Sequence, residues 1–123
     1  MRYTLEEPIP YRTLSGRDIM YDCVCIETDK KNRLTIVMSR TAALPSRLEA
    51  VLTAPHIYCP KDLVALKQHA KCIEISNELI RRGILRHDTT YPTIQSRFVD
   101  YNFYRFNHEY FEVEAEMEAQ TVS

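Results

Sequence analysis

The chain has 123 residues, enough for one domain with a hydrophobic core, and 45% of them are apolar while 27% are charged. The two glycines exclude a glycine-rich phosphate loop, and no apolar run approaches the roughly 20 residues of a membrane-spanning helix. The net charge of −1 is unevenly distributed, because residues 61–97 carry +3 and residues 98–123 carry −5. This pattern predicts separate basic and acidic surfaces, or pairing between them.

The whole chain, residues 1–123, is predicted to form a single domain. Residues 1–18 are polar and contain Pro8 and Pro10, which indicates an extended arm, and residues 119–123 are expected to be a tail. The first residues lack the apolar core of a signal peptide, and four cysteines are present. A cytoplasmic protein with reduced thiols is therefore expected.

Two segments near the N-terminus predict a β-hairpin. Ile19–Thr28 is rich in β-forming residues, and Leu34–Met38 is almost entirely apolar, as in a strand covered on both faces. The polar residues 29–32 between them have the composition of a turn. The two strands are expected to pair in antiparallel orientation.

Two helices are predicted after this hairpin. Ser46 and Glu49 have the spacing of a capping box, which predicts a short helix to about Thr53. Pro60 suits the first position of a long helix that runs to Arg82, with an apolar stripe along it. Gly83 follows as a residue that favours the left-handed conformation at a helix end.

The segment Phe111–Glu118 alternates apolar and acidic residues, a period of two that predicts a half-buried strand. Its composition is also compatible with a helix. A loop of residues 107–109 would pair it with Arg97–Phe106, and this register buries Val99, Tyr101 and Phe103. The predicted fold class is thus α+β: an N-terminal hairpin, a short helix, a long central helix, and a C-terminal hairpin packed on that helix.

The outer face of the predicted C-terminal ribbon combines aromatic rings with carboxylates, as recognition surfaces do. It predicts a small non-enzymatic binding protein, an inhibitor, regulator or assembly subunit, in the style of phage or plasmid accessory proteins. Its partner would be a protein with a basic surface; a solvated strand face is the plainer interpretation. The expected contact residues are Phe98, Asp100, Tyr104, Phe106, Glu112, Glu114, Glu116 and Glu118.

A small nucleic-acid-binding regulator is the alternative prediction, because basic residues lie along the predicted long helix and in the strand that comes after it. The competing interpretation is a solvated helix face with cations at its C-terminal end. The residues concerned are Lys67, Lys71, Arg81, Arg82 and Arg86.

A zinc site that would stabilise this regulator is a further hypothesis. His56 and Cys59, and likewise His69 and Cys72, are separated by two residues, as are many zinc ligands. A buried cysteine, however, more often serves as a small apolar residue. No acid–base or nucleophile motif is present in the sequence, so an enzyme is not predicted, and no cofactor other than zinc is suggested.

Overall fold

The computed structural model describes residues 1–31, 33–40 and 50–111, and these are mainly β structure, with 48% strand and 17% helix. The predicted α+β fold with a long central helix is therefore wrong. Within the described residues, no helix is long and apolar enough to cross a membrane. The elements are β1 (Arg2–Arg12), β2 (Asp18–Thr28), β3 (Leu34–Ser39), β4 (Ala50–Val51), β5 (Leu63–Val64), α1 (Ala70–Arg82), β6 (Leu85–Asp88), β7 (Ile94–Ser96), β8 (Val99–Tyr101) and β9 (Phe103–Phe106).

The first sheet is antiparallel and has the order β1-β2-β3-β4. The predicted hairpin is confirmed, since β2 pairs with β3 from Cys23 opposite Ser39 to Thr28 opposite Leu34. The segment predicted as an arm is instead strand β1, whose pairing with β2 shifts register between Thr4 and Ile9. Leu5 and Ile9 of β1 are buried, and these two side chains tie the segment to the core.

The predicted short helix to Thr53 is wrong where the chain is described. Ala50–Val51 forms strand β4, and Thr53 lies opposite Leu66 in an isolated antiparallel bridge. The amide of Ala54 donates to the carbonyl of Ala65 over 2.9 Å, which extends this pairing. The segment after β4 therefore connects the first sheet to a second, three-stranded sheet of order β5-β9-β6. Residues 46–49 of the capping-box pattern lie outside the described residues.

The predicted long helix is also wrong, because only its second half, α1, is helical. Leu63, Val64, Ala65 and Leu66 are all buried in extended chain. Val64 and Leu66 belong to the main apolar cluster, whereas Leu63 and Ala65 belong to a second, smaller cluster. A strand places alternate side chains on opposite faces and can serve two cores at once, which one face of a helix cannot do.

Helix α1 buries Cys72, Ile75, Ser76 and Leu79, the spacing of one helical face. It ends as the sequence predicts, at Gly83 with φ +83°. The amide of Gly83 donates to the carbonyl of Ile80 and that of Ile84 to the carbonyl of Leu79, which is a Schellman motif. The motif turns the chain directly into β6.

The predicted pairing of Arg97–Phe106 with Phe111–Glu118 does not form between the described residues. Strand β9 is the centre of its sheet, with β5 on one side and β6 on the other, so neither edge of it is open. Phe111 lies in a helical turn of residues 108–111 instead of opening a strand. The remainder of the predicted strand, residues 112–118, and the predicted tail lie outside the described residues.

Candidate functional site

A two-stranded hairpin formed by β7 and β8, residues 94–101, is the best-defined candidate surface; we call it the tip hairpin. Ser96 pairs with Val99, so only Arg97 and Phe98 form the turn. Both have positive φ, +52° and +66°. A two-residue hairpin turn with two positive φ angles is type I′, which normally contains Asn-Gly because other residues are strained there.

The Phe98 side chain is 98% exposed at this turn, and Arg97 is exposed beside it. The other end of the tip hairpin is anchored, because Tyr101 is buried in the second apolar cluster and Val99 packs against it. An aromatic ring is thus held away from the core on a short, supported hairpin. Aromatic and arginine side chains are the residues that most often dominate binding energy at protein interfaces.

The residues predicted to share one outer face are separated by the structure. Asp100 is exposed on β8, next to the turn. Tyr104 is half-buried beside His87, at 5.4 Å between ring centroids. Phe106 is 5% exposed, so its predicted place in the contact surface is wrong; it stacks on Tyr3 because β9 has the main apolar cluster on that face. The acidic row lies outside the described residues: Glu112, Glu114, Glu116 and Glu118.

No family model, curated protein or solved structure matches this chain. The surface chemistry of the chain is therefore the only basis for a function.

The basic residues predicted to bind nucleic acid differ in their exposure and in the groups they contact. Lys71 lies over the rings of Tyr11 and Tyr21, 5.2 and 5.4 Å from their centroids. Arg82, with 11% of its side chain exposed, donates through Nε to Glu78 over 2.9 Å. The largely buried Arg82 guanidinium is thus engaged within the fold, whereas phosphates require exposed cations.

The other three basic residues of the alternative are dispersed. Arg81 is exposed but forms an ion pair with Glu78, and Arg86 is exposed on β6. Lys67 is half-buried and lines a cavity together with Leu63 and Val64 of β5. Three of the five residues, Lys71, Arg81 and Arg82, therefore have an aromatic or carboxylate partner within the fold, and the nucleic-acid alternative stays a prediction.

The four predicted zinc ligands are not brought together, and the described residues contain no group of three or more His, Cys, Asp or Glu that could hold a metal ion. Cys59 Sγ donates to the carbonyl of Ile57 over 3.6 Å, and Cys72 Sγ to that of Val51 over 3.7 Å. Burial raises the pKa of both thiols, which keeps them protonated. His56 and His69 are both exposed.

The sequence predicts Phe98 as a contact residue but does not indicate Arg97 or the tip hairpin. Residues 97–106 were interpreted as one strand, whereas a turn at Arg97 and Phe98 begins a new one. The only available signal was the short separation between Ile94–Ser96 and Val99–Tyr101. An Arg-Phe pair gives no turn signal, because neither residue favours positive φ.

Proposed function

We propose that this chain is a small non-enzymatic binding protein, an inhibitor, regulator or assembly subunit, that contacts a protein partner through the tip hairpin. The exposed Phe98 on a strained turn is the observation that supports this proposal. Two non-glycine residues with positive φ cost roughly 1–3 kcal/mol each, and the exposed Phe98 ring gains little packing with the described residues to offset this cost. Insertion of the Phe98 ring into an apolar pocket of a partner would offset the free-energy cost of the strained turn.

The acidic C-terminal segment belongs to the same proposal. Residues 98–123 carry a net charge of −5, so the partner surface around the contact would be basic. The proposed compartment is the cytoplasm, because the four cysteines, all of them among the described residues, form no disulfide bond with one another and a reducing compartment keeps cysteines as thiols.

The first test of this function compares Phe98→Ala with the wild-type chain in affinity capture from an extract of the source cells, with and without nuclease. We expect one protein that wild type retains in both conditions and Phe98→Ala does not. The dissociation constant measured with that protein should rise about 10- to 100-fold, the range of an aromatic hot spot. A partner lost on nuclease treatment would instead support the nucleic-acid alternative.

Leu14→Ala is the matched control, because Leu14 is also fully exposed and lies in the β1–β2 turn, away from the tip hairpin. It should retain the partner at wild-type affinity. If Phe98→Ala and Leu14→Ala bind every captured protein equally, the tip hairpin is not the contact surface and the proposal fails.

A second prediction concerns the strain of the turn. The double substitution Arg97→Asn and Phe98→Gly installs the sequence that a type I′ turn favours, so it should raise the free energy of unfolding by about 1 kcal/mol. The same variant should lose the partner, because the ring is gone. Urea unfolding and the binding measurement together check that the variant is more stable than wild type but binds the partner less tightly. A variant that is less stable than wild type would contradict the strain argument.

A third prediction concerns the acidic segment. Replacement of Glu112, Glu114 and Glu116 by Gln should slow association with the partner and weaken its dependence on salt, while the dissociation rate stays nearly constant. Stopped-flow or surface plasmon resonance measurements at several salt concentrations would show this.

The matched control removes three exposed carboxylates elsewhere, through Glu6→Gln, Glu27→Gln and Glu74→Gln. An equal loss of association rate in both triple variants would mean that total charge matters and the acidic segment does not.

A further inference from the structure

A cavity of about 530 Å³ lies between the β2–β3 turn and the segment from Thr53 to Lys67. Apolar side chains of Leu34, Val51, Ile57 and Leu63 contribute to its lining. This volume lies within the roughly 300–1,000 Å³ of sites for small molecules. The cavity is distinct from the tip hairpin, which contributes no lining residue.

Charged residues around this cavity are predominantly basic. Four cations line it together with two carboxylates, a local excess of two positive charges. One of the carboxylates, Asp29, is engaged by Arg33: its Oδ2 accepts from Arg33 Nε over 3.0 Å. The remaining charged lining residues are Lys31, Lys61, Lys67 and Asp62.

Arg33 is held in place by a second contact as well, because its Nη1 donates to the carbonyl of Pro55 over 2.7 Å. This bond crosses from the β2–β3 turn to the segment on the other side of the cavity. By contrast, the ion pairs between described residues include none of the three lining lysines. Together with the Asp62 carboxylate, their three ammonium groups account for the local excess of two positive charges around the cavity.

The mouth of the cavity carries an aromatic ring, since Tyr58 is 84% exposed and belongs to the lining. Lys61, another lining residue, lies in the adjacent turn: the amide of Leu63 donates to the carbonyl of Pro60 over 3.1 Å, and Asp62 has φ +66°. Cys59, also in the lining, has its pKa raised by burial and is a neutral thiol there. The lining thus offers apolar contact, one aromatic face and lysine ammonium groups that belong to none of the ion pairs between described residues.

We propose that this cavity binds a small aromatic phosphate, the chemical class of the nucleoside monophosphates. Lysine ammonium groups bind phosphate as point charges from several directions, which suits three lysines on different segments. The apolar lining and Tyr58 would contact the planar body of the ligand, because exposed aromatic rings are stacking partners for bases. An inorganic anion alone would contact the lysines but would leave the apolar residues and Tyr58 without a partner.

The test is calorimetric titration of the full chain with adenosine monophosphate, with adenosine and inorganic phosphate as separate titrants. We expect the monophosphate to bind at least about tenfold more tightly than either part, and more weakly at high salt. Lys67→Gln and Lys61→Gln should each weaken binding about tenfold, whereas Lys30→Gln should not, because Lys30 is next to the lining residue Lys31 on the β2–β3 turn but is outside the lining. Equal affinity for phosphate and monophosphate would reject this ligand class.

Thiol labelling gives a readout that does not depend on a lysine substitution. Cys59 and Cys25 are both half-buried, but only Cys59 lines the cavity. Bound monophosphate should slow alkylation of Cys59 by iodoacetamide at least about threefold at saturation and leave Cys25 unchanged. Absence of monophosphate binding at millimolar concentration and low salt, or equal protection of both thiols, would overturn the proposal.

Discussion

Phe106→Ala is expected to lower the free energy of unfolding by about 3–5 kcal/mol, the usual cost of truncating a buried phenylalanine. Phe106 is 5% exposed and stacks on Tyr3 and Phe111, with centroid distances of 5.6 and 6.0 Å. The ring of His108 approaches it edge-on at 4.8 Å. Truncation would leave a cavity at a point where four rings meet. Urea denaturation followed by circular dichroism measures the effect.

Phe98→Ala is the matched control for this prediction, since both residues alternate on the same face in the sequence pattern. Because Phe98 is 98% exposed, its truncation should change the free energy of unfolding by less than about 0.5 kcal/mol. Equal destabilisation by the two substitutions would contradict the assignment of one ring to the core and the other to the surface.

Arg82→Ala has the second-largest expected effect, a loss of about 2–3 kcal/mol. The Arg82 guanidinium donates to the carbonyls of Glu7 and Pro8, where the pairing of β1 with β2 shifts register. It also donates to the carboxylate of Glu78. Its removal would leave two carbonyls of β1 without a donor and remove one of the guanidinium groups that pair with Glu78. Thermal and urea unfolding of the variant check this loss.

Arg81→Ala is the control, because Arg81 pairs with the same carboxylate from an exposed position and does not contact β1. Arg81→Ala should lower the free energy of unfolding far less than Arg82→Ala does, since exposed ion pairs contribute little stability. A larger loss for Arg81→Ala would mean that the ion pair, and not the contact with β1, provides the stabilisation.

The pH dependence follows from Glu78. Hydrogen bonds from Arg81 and Arg82 lower the pKa of this carboxyl from its usual 4.5 to about 2. Because the folded-state pKa is lower than the unfolded one, the stabilisation is complete above about pH 4.5 and is lost as the pH falls toward 2. The destabilisation by Arg82→Ala should therefore diminish between these pH values but not vanish, since the bonds to the β1 carbonyls do not titrate.

Local signals were sufficient for part of the fold. The β-forming composition of β2 and β3 and the polar turn between them predicted their pairing, and Gly83 predicted the end of α1. These features depend on residues close in sequence. The pairing of β1 with β2 was missed because Pro8, Pro10 and several charged residues resemble an arm. Only the burial of Leu5 and Ile9 against the core reveals the strand.

The main error in the predicted fold came from strands whose two faces pack into different apolar clusters. Leu63–Leu66 has no polar residue, so its period cannot distinguish a strand from a helix, and Pro60 and Gly83 favoured the helical interpretation. Strand β9 has the same property, with Phe103 in one cluster and Phe106 in the other. A prediction from alternating residues assumes that one face of the strand is exposed to solvent. This assumption placed Phe106 on the surface. For the site, Phe98 was identifiable, but its strained turn depends on backbone angles that no residue type there indicates.

Strand β1 forms an outer edge of the first sheet among the described strands. Such an edge can pair with a strand of another molecule and start aggregation, because its backbone groups are open. Pro8 and Pro10 offer no amide hydrogen there, and Arg82 already occupies the carbonyls of Glu7 and Pro8. The two hydrogen bonds from Arg82 thus occupy two carbonyl acceptors of β1 that an approaching strand would need. This edge is therefore poorly suited to grow into a fibril at high protein concentration.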